Sequence, residues 1–223
     1  MYLSDIHTHS IASGHGTSCT ISDMAKAASK KGLKLLGITD HGPGTLAAGT
    51  SSYFRSLTYA PKKRFGIELL FGAELNILDT EGHLDLNDEL LSELDYAIAS
   101  MHAQNYKSGT VEENTSAYLN AMRHPCVKVL GHCDNPAFPV DYETLAFGAK
   151  EYGVIFEINE ASLMPDGYRG DTRANNKEIL RCCRKLEIPI VLSSDSHGAE
   201  HVGEFTYGAE FVHEIMFPER LIL

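Results

Sequence analysis

Nine histidine and acidic side chains of the sequence lie at or near the ends of short apolar segments. Imidazole and carboxylate groups bind divalent transition metals such as Zn, Mn and Fe when no thiolate is present. One such ion takes roughly four to six ligands, so a set of this size predicts a cluster of two to three ions. The candidate ligands are His7, His9, His15, His41, Glu74, His102, His132, Asp195 and His197.

Two pairs of candidate ligands have a spacing that lets one extended strand hold a single ion. Side chains at positions i and i+2 of a strand point to the same side, and His7 with His9, and Asp195 with His197, have this spacing. Each pair alone is also typical of structural or surface residues, as is His15 in its glycine-rich loop. The repetition at six predicted strand ends favours metal binding.

Glu74 interrupts the apolar run 69–75. A buried carboxylate is costly unless it is paired or bound to a metal. Because its two oxygens can contact two cations at once, Glu74 is predicted to bridge neighbouring ions. His102 and His132 also follow apolar segments, and the alternative for each is a core histidine with satisfied hydrogen bonds.

Two further carboxylates are candidates for orienting the ligands through hydrogen bonds, without binding an ion themselves. Asp40 directly precedes His41, where a carboxylate could orient the imidazole or hold a water; the alternative is the capping of a turn. Asp5 shares the strand face of His7, and its alternative is a buried carboxylate bonded to the backbone. No side chain is assigned a catalytic role; the nucleophile is expected to be a metal-bound hydroxide.

Seven apolar segments alternate with helical patterns along the chain. The predicted strands are 2–6, 33–39, 69–73, 96–101, 127–131, 154–158 and 190–194. Alternation with helices of roughly 10–15 residues predicts βαβ units and a parallel sheet. Since the carboxyl ends of parallel strands open toward one face, the ligands are expected to meet there, on an α/β barrel. The segment 42–64 is expected to form loop or short helices over the barrel mouth.

Composition limits the domain number and the partners. The 223 residues fit one domain, 1–223, and the net charge of −11 argues against a nucleic-acid partner, which needs clustered basic residues. The five cysteines form no Cys-x-x-Cys pair, as expected for reduced thiols in a cytoplasmic protein. No signal peptide or membrane span is predicted. The sequence carries no signal for oligomeric state.

The order of these motifs resembles the PHP (polymerase and histidinol phosphatase) family of trinuclear metal phosphoesterases, and most of all its small single-domain phosphatases of the YcdX type. The resemblance implies a distorted TIM-like (β/α)7 barrel. It also implies three ligand sets. The first is His7, His9, Glu74 and Asp195; the second is Glu74, His102 and His132; the third is His15, His41 and His197.

The function implied by this resemblance is that of a phosphomonoesterase acting on small phosphorylated metabolites, histidinol phosphate among them. A hydroxide bridging the ions would attack phosphorus in line with the leaving alkoxide. Arg169 and Asn159, which follow the sixth strand, are candidate substrate contacts, with a solvated loop arginine as the alternative for Arg169. Three other functions stay open: an amidohydrolase-type C–N hydrolase, a nucleic-acid phosphodiesterase and a non-catalytic metal-binding module.

Overall fold

Strands and helices alternate along most of the chain, as the apolar segments predict. The structure is a computed structural model and describes residues 2–223. Its strands are β1 Ser4–Asp5, β2 Leu35–Ile38, β3 Lys63–Arg64, β4 Ile67–Phe71, β5 Ala73–Asn76, β6 Ala97–Ser100, β7 Val127–Leu130, β8 Ile155–Asn159 and β9 Ile190–Ser193. Its helices are α1 Ile21–Lys30, α2 Ser51–Leu57, α3 Asp88–Leu91, α4 Val111–Met122, α5 Tyr142–Tyr152, α6 Glu160–Leu163, α7 Arg173–Leu186 and α8 Thr206–Glu214.

The strands form two sheets that are joined into a ring. One sheet has the order β1-β2-β4-β3 and the other the order β5-β6-β7-β8-β9. All pairs are parallel except the short β3–β4 pair. Isolated parallel bridges, His41 to Glu74 and Thr8 to Ser196, connect the sheets at both junctions. The predicted α/β fold with a parallel sheet is confirmed, and the ring agrees with the expected distorted (β/α)7 barrel.

The strands β4 and β5 follow each other directly and together form one strand of the ring, which changes its pairing partner at Gly72. Before it β4 pairs with β2, and after it β5 pairs with β6. A Cβ atom on Gly72 would lie 2.6 Å from the carbonyl oxygen of Tyr96, so only glycine lets β6 approach this closely. Just after the change of partner, the backbone N–H of Glu74 donates to Thr39 and Asp40. This kink places Glu74 at the junction of the sheets.

Helix ends follow local sequence signals. Thr110 and Glu113 form a capping box at the start of α4. Asp141 caps α5, which ends at Gly153 in the left-handed conformation with φ 67°. The segment 42–64 contains α2, and Tyr53 of this helix donates a hydrogen bond to Asp40 at the end of β2. This segment is therefore attached to the carboxyl end of the ring.

Two apolar clusters support the ring from its two sides. The larger cluster fills the space between strands and helices. The smaller one consists of Tyr96, Ile98, Val129 and Val191. By the alternation of strand side chains, Val191 shares its face with Ser193, which bonds to polar groups at the carboxyl end. The smaller cluster therefore packs the ring interior below the polar residues.

None of the helices found along residues 2–223 has the length and apolar character needed to cross a bilayer.

Gly37 in β2 offers a test of the close packing between strands. A Cβ atom there would lie 2.8 Å from both the Cα and the carbonyl oxygen of Ile6 and 2.1 Å from the hydroxyl of Tyr96. Because the contact is with the backbone of Ile6, directly after β1, and not with a flexible side chain, Gly37→Ala should lower the free energy of unfolding by about 3 kcal/mol. Urea denaturation measures this loss.

Gly153→Ala is the matched control. Nothing lies within 4 Å of a Cβ atom at Gly153, so this change should cost only the left-handed backbone penalty, about 1 kcal/mol. Equal losses in the two variants would contradict the steric explanation for Gly37.

Candidate metal centre

The nine candidate ligands lie together at the carboxyl end of the ring, around the carboxylate of Glu74. Its Oε1 atom is 2.8 Å from Nε2 of His132 and 3.3 Å from Nε2 of His102. Its Oε2 atom is 2.7 Å from Nδ1 of His41. Each oxygen of Glu74 therefore faces a different set of imidazoles.

The first-strand histidines share their surroundings with the acid at the end of the last strand. Nε2 of His7 lies 3.4 Å and Nε2 of His9 3.5 Å from Oε2 of Glu74. The same two nitrogens lie 3.6 and 3.1 Å from Oδ1 of Asp195. Residues 188 positions apart in sequence thus meet because β1 and β9 are neighbours in the ring.

His15 and His197 are the exposed members of the group. The ring of His197 stacks on His9 with centroids 4.1 Å apart, and the ring of His15 contacts His41 edge-on at 4.8 Å. They form the solvent side of the cluster, whereas Glu74 is 1% exposed at its centre.

Three overlapping groups of donor atoms are compact enough for one cation, with all atoms of each group within 4.8 Å of one another. They are His7, His9 and Asp195; His9, His41 and His197; and His41, Glu74 and His102. The first lies within one ligand set implied by the resemblance. The other two differ from the implied sets, since His9 joins His41 and His197, and His41 joins Glu74 and His102. The rings are close enough to be shared between neighbouring groups.

Several buried polar atoms in this cluster have no hydrogen-bond partner among the described residues. They include Nε2 of His7, Nδ1 of His41, Nδ1 of His132 and Oε2 of Glu74. The atoms of His41 and Glu74 are close, but their orientation does not make a hydrogen bond. Unpaired buried polar atoms are costly, and coordination of a cation would satisfy them. The donor set therefore fits divalent transition metals.

The charges of the site change the pKa of its members. Burial alone would raise the pKa of Glu74, but His41 and His7 hold it well below its usual value. Burial, together with the Arg169 guanidinium, lowers the pKa of His132 to about 4. At neutral pH Glu74 is ionised and His132 is neutral, the states in which both groups bind cations.

Three of the candidate ligands have a backbone conformation that L-residues rarely adopt. His15, His132 and Asp195 have φ values of 55°, 28° and 53°. Such conformations persist only where the surrounding structure holds them, and they concentrate at functional sites. Because Phe65, Glu187 and Met216 also have positive φ values away from the site, the strain shows that surrounding contacts hold these three ligands in place and does not by itself mark the site.

Asp40 is linked through Ser13 to the imidazole of His9 and to the backbone N–H of the adjacent His41, which donates to the Ser13 hydroxyl at 3.1 Å. It accepts hydrogen bonds from the backbone N–H and hydroxyl of Ser10, from the hydroxyl of Ser13 at 2.6 Å and from Tyr53. Since the Ser13 hydroxyl donates to Asp40, it accepts from Nδ1 of His9 at 2.8 Å. With the proton on Nδ1, this chain of bonds leaves the lone pair of His9 on Nε2, which lies 3.1 Å from Oδ1 of Asp195.

Asp5 hydrogen-bonds no candidate imidazole within residues 2–223. It accepts from the backbone N–H and hydroxyl of Ser194 and from the backbone N–H of Gly203. This corresponds to the backbone-bonded alternative. Asp5 thereby ties β1 to the end of β9.

Arg169 is buried, so the alternative of a solvated loop arginine is contradicted. Its guanidinium donates to Oδ2 of Asp195 at 2.8 Å, to Asn159 at 3.1 Å and to Ser162 at 3.0 Å. It also lines a pocket of about 610 Å³ that contains most of the candidate ligands, with Tyr168 beside it.

Asn159 lies below this pocket and not on its wall. It is 0% exposed. Its amide oxygen accepts from Arg169 and from the backbone of Ser162, and its amide nitrogen donates to Glu157 and Asp195. Because all its polar atoms are used within the protein, Asn159 differs from the expected substrate contact and instead holds Arg169 and Asp195.

Glu157 in β8 is a site residue that the sequence analysis missed. It is 1% exposed and accepts hydrogen bonds from Nδ1 of His7 and from the backbone N–H of His132, both at 2.6 Å. The hydroxyl of Ser193 also donates to it, at 2.5 Å. The signal was the one used for Glu74: a carboxylate inside an apolar strand.

Comparisons with known proteins agree with this fold and site. A family model described as PHP domain matches residues 5–162. A probable phosphatase from Clostridium novyi is 40% identical over 222 residues, which cover 100% of this chain and 90% of the relative. A probable phosphatase from Thermoanaerobacter pseudethanolicus is 40% identical over 220 residues, covering 98% and 89%. The chain therefore belongs to the PHP domain family.

Solved structures share the fold at lower sequence identity. The hisK chain of Listeria monocytogenes aligns with a TM-score of 0.66 and 20% identity, covering 92% of this chain and 99% of that chain. The histidinol phosphate phosphatase of Lactococcus lactis, solved with zinc, L-histidinol and phosphate, aligns with a TM-score of 0.62 and 17% identity, covering 96% and 94%. Together, the comparisons confirm the prediction of a metal-dependent phosphatase and do not favour the other three functions.

Metal binding should raise the melting temperature. Mn²⁺ or Zn²⁺ added to metal-stripped protein would bind the folded state, and a concentration 100-fold above Kd stabilises it by about 2.7 kcal/mol per site. Mg²⁺ prefers shells of oxygen ligands and should have a smaller effect. Scanning calorimetry with each ion tests this expectation, which melting curves that do not change with Mn²⁺ or Zn²⁺ would contradict.

Proposed function

We propose that this chain is a phosphomonoesterase that releases phosphate from small phosphorylated metabolites at a centre of two to three Zn, Mn or Fe ions. The observation that carries the proposal is the convergence of nine imidazole and carboxylate side chains, seven of which line one pocket together with Arg169. A pocket of about 610 Å³ has the size of sites for small molecules. Zinc in the Lactococcus lactis relative supports the choice of metal.

Glu74 is proposed as the bridge between ions. Its Oε1 atom faces His102 and His132, and its Oε2 atom faces His7, His9 and His41. The ligand sets proposed for the ions are the three implied by the family: His7, His9, Glu74 and Asp195; Glu74, His102 and His132; His15, His41 and His197. The opposed oxygens of Glu74 support its shared place in the first two sets.

The bound ions would supply Lewis-acid activation of the phosphoryl group and a water acidic enough to act as nucleophile at neutral pH. The residues of the chain bind and orient. The ionised carboxylates Glu74 and Asp195 and the neutral imidazole of His132 present fixed donor atoms. The positive charge gathered by the ions would attract an anionic phosphate into a protein whose net charge is −11.

Arg169 is proposed to contact the phosphoryl oxygens. A guanidinium has five N–H donors, and three of them are directed to Asp195, Asn159 and Ser162. The remaining donors belong to a side chain that lines the pocket. A guanidinium held in this way can bind phosphate with little further loss of side-chain freedom.

The proposed catalytic unit is a single domain that spans residues 1–223. The family model ends at residue 162, but Asp195 and His197 follow β9, which completes the ring through the bridge between Thr8 and Ser196. The contribution of this last strand to the cluster supports one domain.

Glu74→Ala should remove at least one ion and lower phosphatase activity by at least about a thousandfold, because the shared ligand is lost and the charge that stabilises the transition state goes with it. Elemental analysis of the purified variant and turnover of p-nitrophenyl phosphate measure the two effects. His83→Ala, an exposed histidine outside the cluster, is the control and should retain both. Full metal content in Glu74→Ala would exclude the bridging role.

Arg169→Lys should lower kcat/KM for p-nitrophenyl phosphate by about 10–100-fold, the cost of losing hydrogen bonds to a charged group. The lysine keeps the positive charge next to Asp195, so metal content should stay at the wild-type value. The matched control is Arg173→Lys, since Arg173 is exposed and pairs with Glu214 away from the pocket. An unchanged kcat/KM in Arg169→Lys would argue against a phosphate contact.

A further inference from the structure

Glu157 connects three of the strands that carry candidate ligands. It lies in β8, which itself ends without a candidate metal ligand. Its Oε1 atom accepts from His7 after β1 and from Ser193 in β9, and its Oε2 atom accepts from the backbone of His132 after β7. A fourth bond comes from the side chain of Asn159. All four bonds converge on a carboxylate without solvent contact.

The bond to His7 fixes the state of that imidazole. A carboxylate accepts a hydrogen bond, so Nδ1 of His7 carries the proton that it shares with Glu157 at 2.6 Å. In the neutral imidazole, the form that binds a metal ion, the lone pair then lies on Nε2, the atom that faces Glu74 and Asp195 and has no hydrogen-bond partner among the described residues. Carboxylates in this position orient a metal-binding histidine and make it a better ligand.

The bond to His132 acts on the backbone. His132 has φ 28°, a sparsely populated conformation that needs external support. Its N–H donates to Oε2 of Glu157 at 2.6 Å, and its Nε2 lies 2.8 Å from Oε1 of Glu74. The turn held by Glu157 is therefore the turn that directs the imidazole of His132 at the proposed bridging carboxylate.

We propose that Glu157 is a positioning residue of the metal centre: it holds His7 and His132 in the orientations that bind ions, without binding an ion itself. This inference rests on the proposed function, because it presumes that the cluster binds ions. Since β8 carries no candidate ligand, Glu157 is the residue through which this strand contributes to metal affinity.

Glutamine at position 157 tests the role. Its single acceptor oxygen can serve either His7 and Ser193 or His132 and Asn159, while its NH₂ group faces the other donors. Metal-stripped Glu157→Gln should bind Mn²⁺ or Zn²⁺ about 10–100-fold more weakly than the wild type, as measured by competition with a chelator. The visible absorption spectrum of the Co²⁺-loaded protein should also change, because the orientation of a ligand imidazole changes.

Glu160→Gln is the matched control. Glu160 is a nearby buried carboxylate that accepts from the backbone N–H groups of Tyr207 and Gly208, at 2.9 and 2.8 Å, and supports α8. Its loss should lower the melting temperature but leave metal affinity and the Co²⁺ spectrum at their wild-type values. If both glutamine variants lose metal affinity equally, the effect at Glu157 is general destabilisation and the inference is overturned.

Glu157→Asp covers the case in which Glu157→Gln does not fold. Aspartate keeps the charge and both oxygens but withdraws them by one methylene, so it should give an intermediate loss of metal affinity. Wild-type affinity in either folded variant at position 157 would overturn the positioning role while leaving the proposed function intact. A wild-type protein that takes up neither Mn²⁺ nor Zn²⁺ would instead overturn the proposed function.

Discussion

The burial of the Glu74 carboxylate at the junction of the two sheets is the constraint on which the site depends. A charge removed from water is stable only with compensating positive charge or hydrogen bonds. Here imidazoles from four strand ends surround it, namely those of His7, His41, His102 and His132. The same arrangement that compensates Glu74 gathers the donor atoms of a metal centre.

The position of Glu74 depends on an ordinary feature of chain packing. The strand that carries it changes partner at Gly72, where the backbone of Tyr96 comes too close for any side chain. Without this change of partner, the sheet that begins with β1 and the sheet that ends with β9 would not be joined at His41 and Glu74. The glycine thus contributes to the position of Glu74.

Behind the ligands lies a second group of polar residues that holds imidazoles and the guanidinium in place. Asp40 acts on His9 through Ser13, Glu157 bonds directly to His7, and Asn159 holds Arg169. Each of these supporting residues is buried, and each joins elements that are distant in sequence. Orientation by such partners is what gives a cluster of histidines fixed geometry.

Much of the fold was predictable because its signals are local. The apolar segments, the capping box at Thr110 and the Asp141 cap with Gly153 at the other end of α5 depend on residues within a few positions of one another. The change of partner at Gly72 was not predictable, since it depends on the distance between strands. The burial of Arg169 was not predictable either, because a loop arginine is buried only where the fold supplies hydrogen-bond acceptors such as Asp195.

The sequence by itself determined which side chains follow the strands, and hence the nine candidate ligands, because alternation and strand ends are properties of the local chain. Only the tertiary structure decided which of these ligands lie close enough to bind the same ion. It also decided that Asp40 supports His9 through Ser13, that Asn159 is buried below the pocket and that Glu157 belongs to the site. These are distances between segments up to 188 positions apart, as for His7 and Asp195. They are set by how the ring closes, which no local pattern encodes.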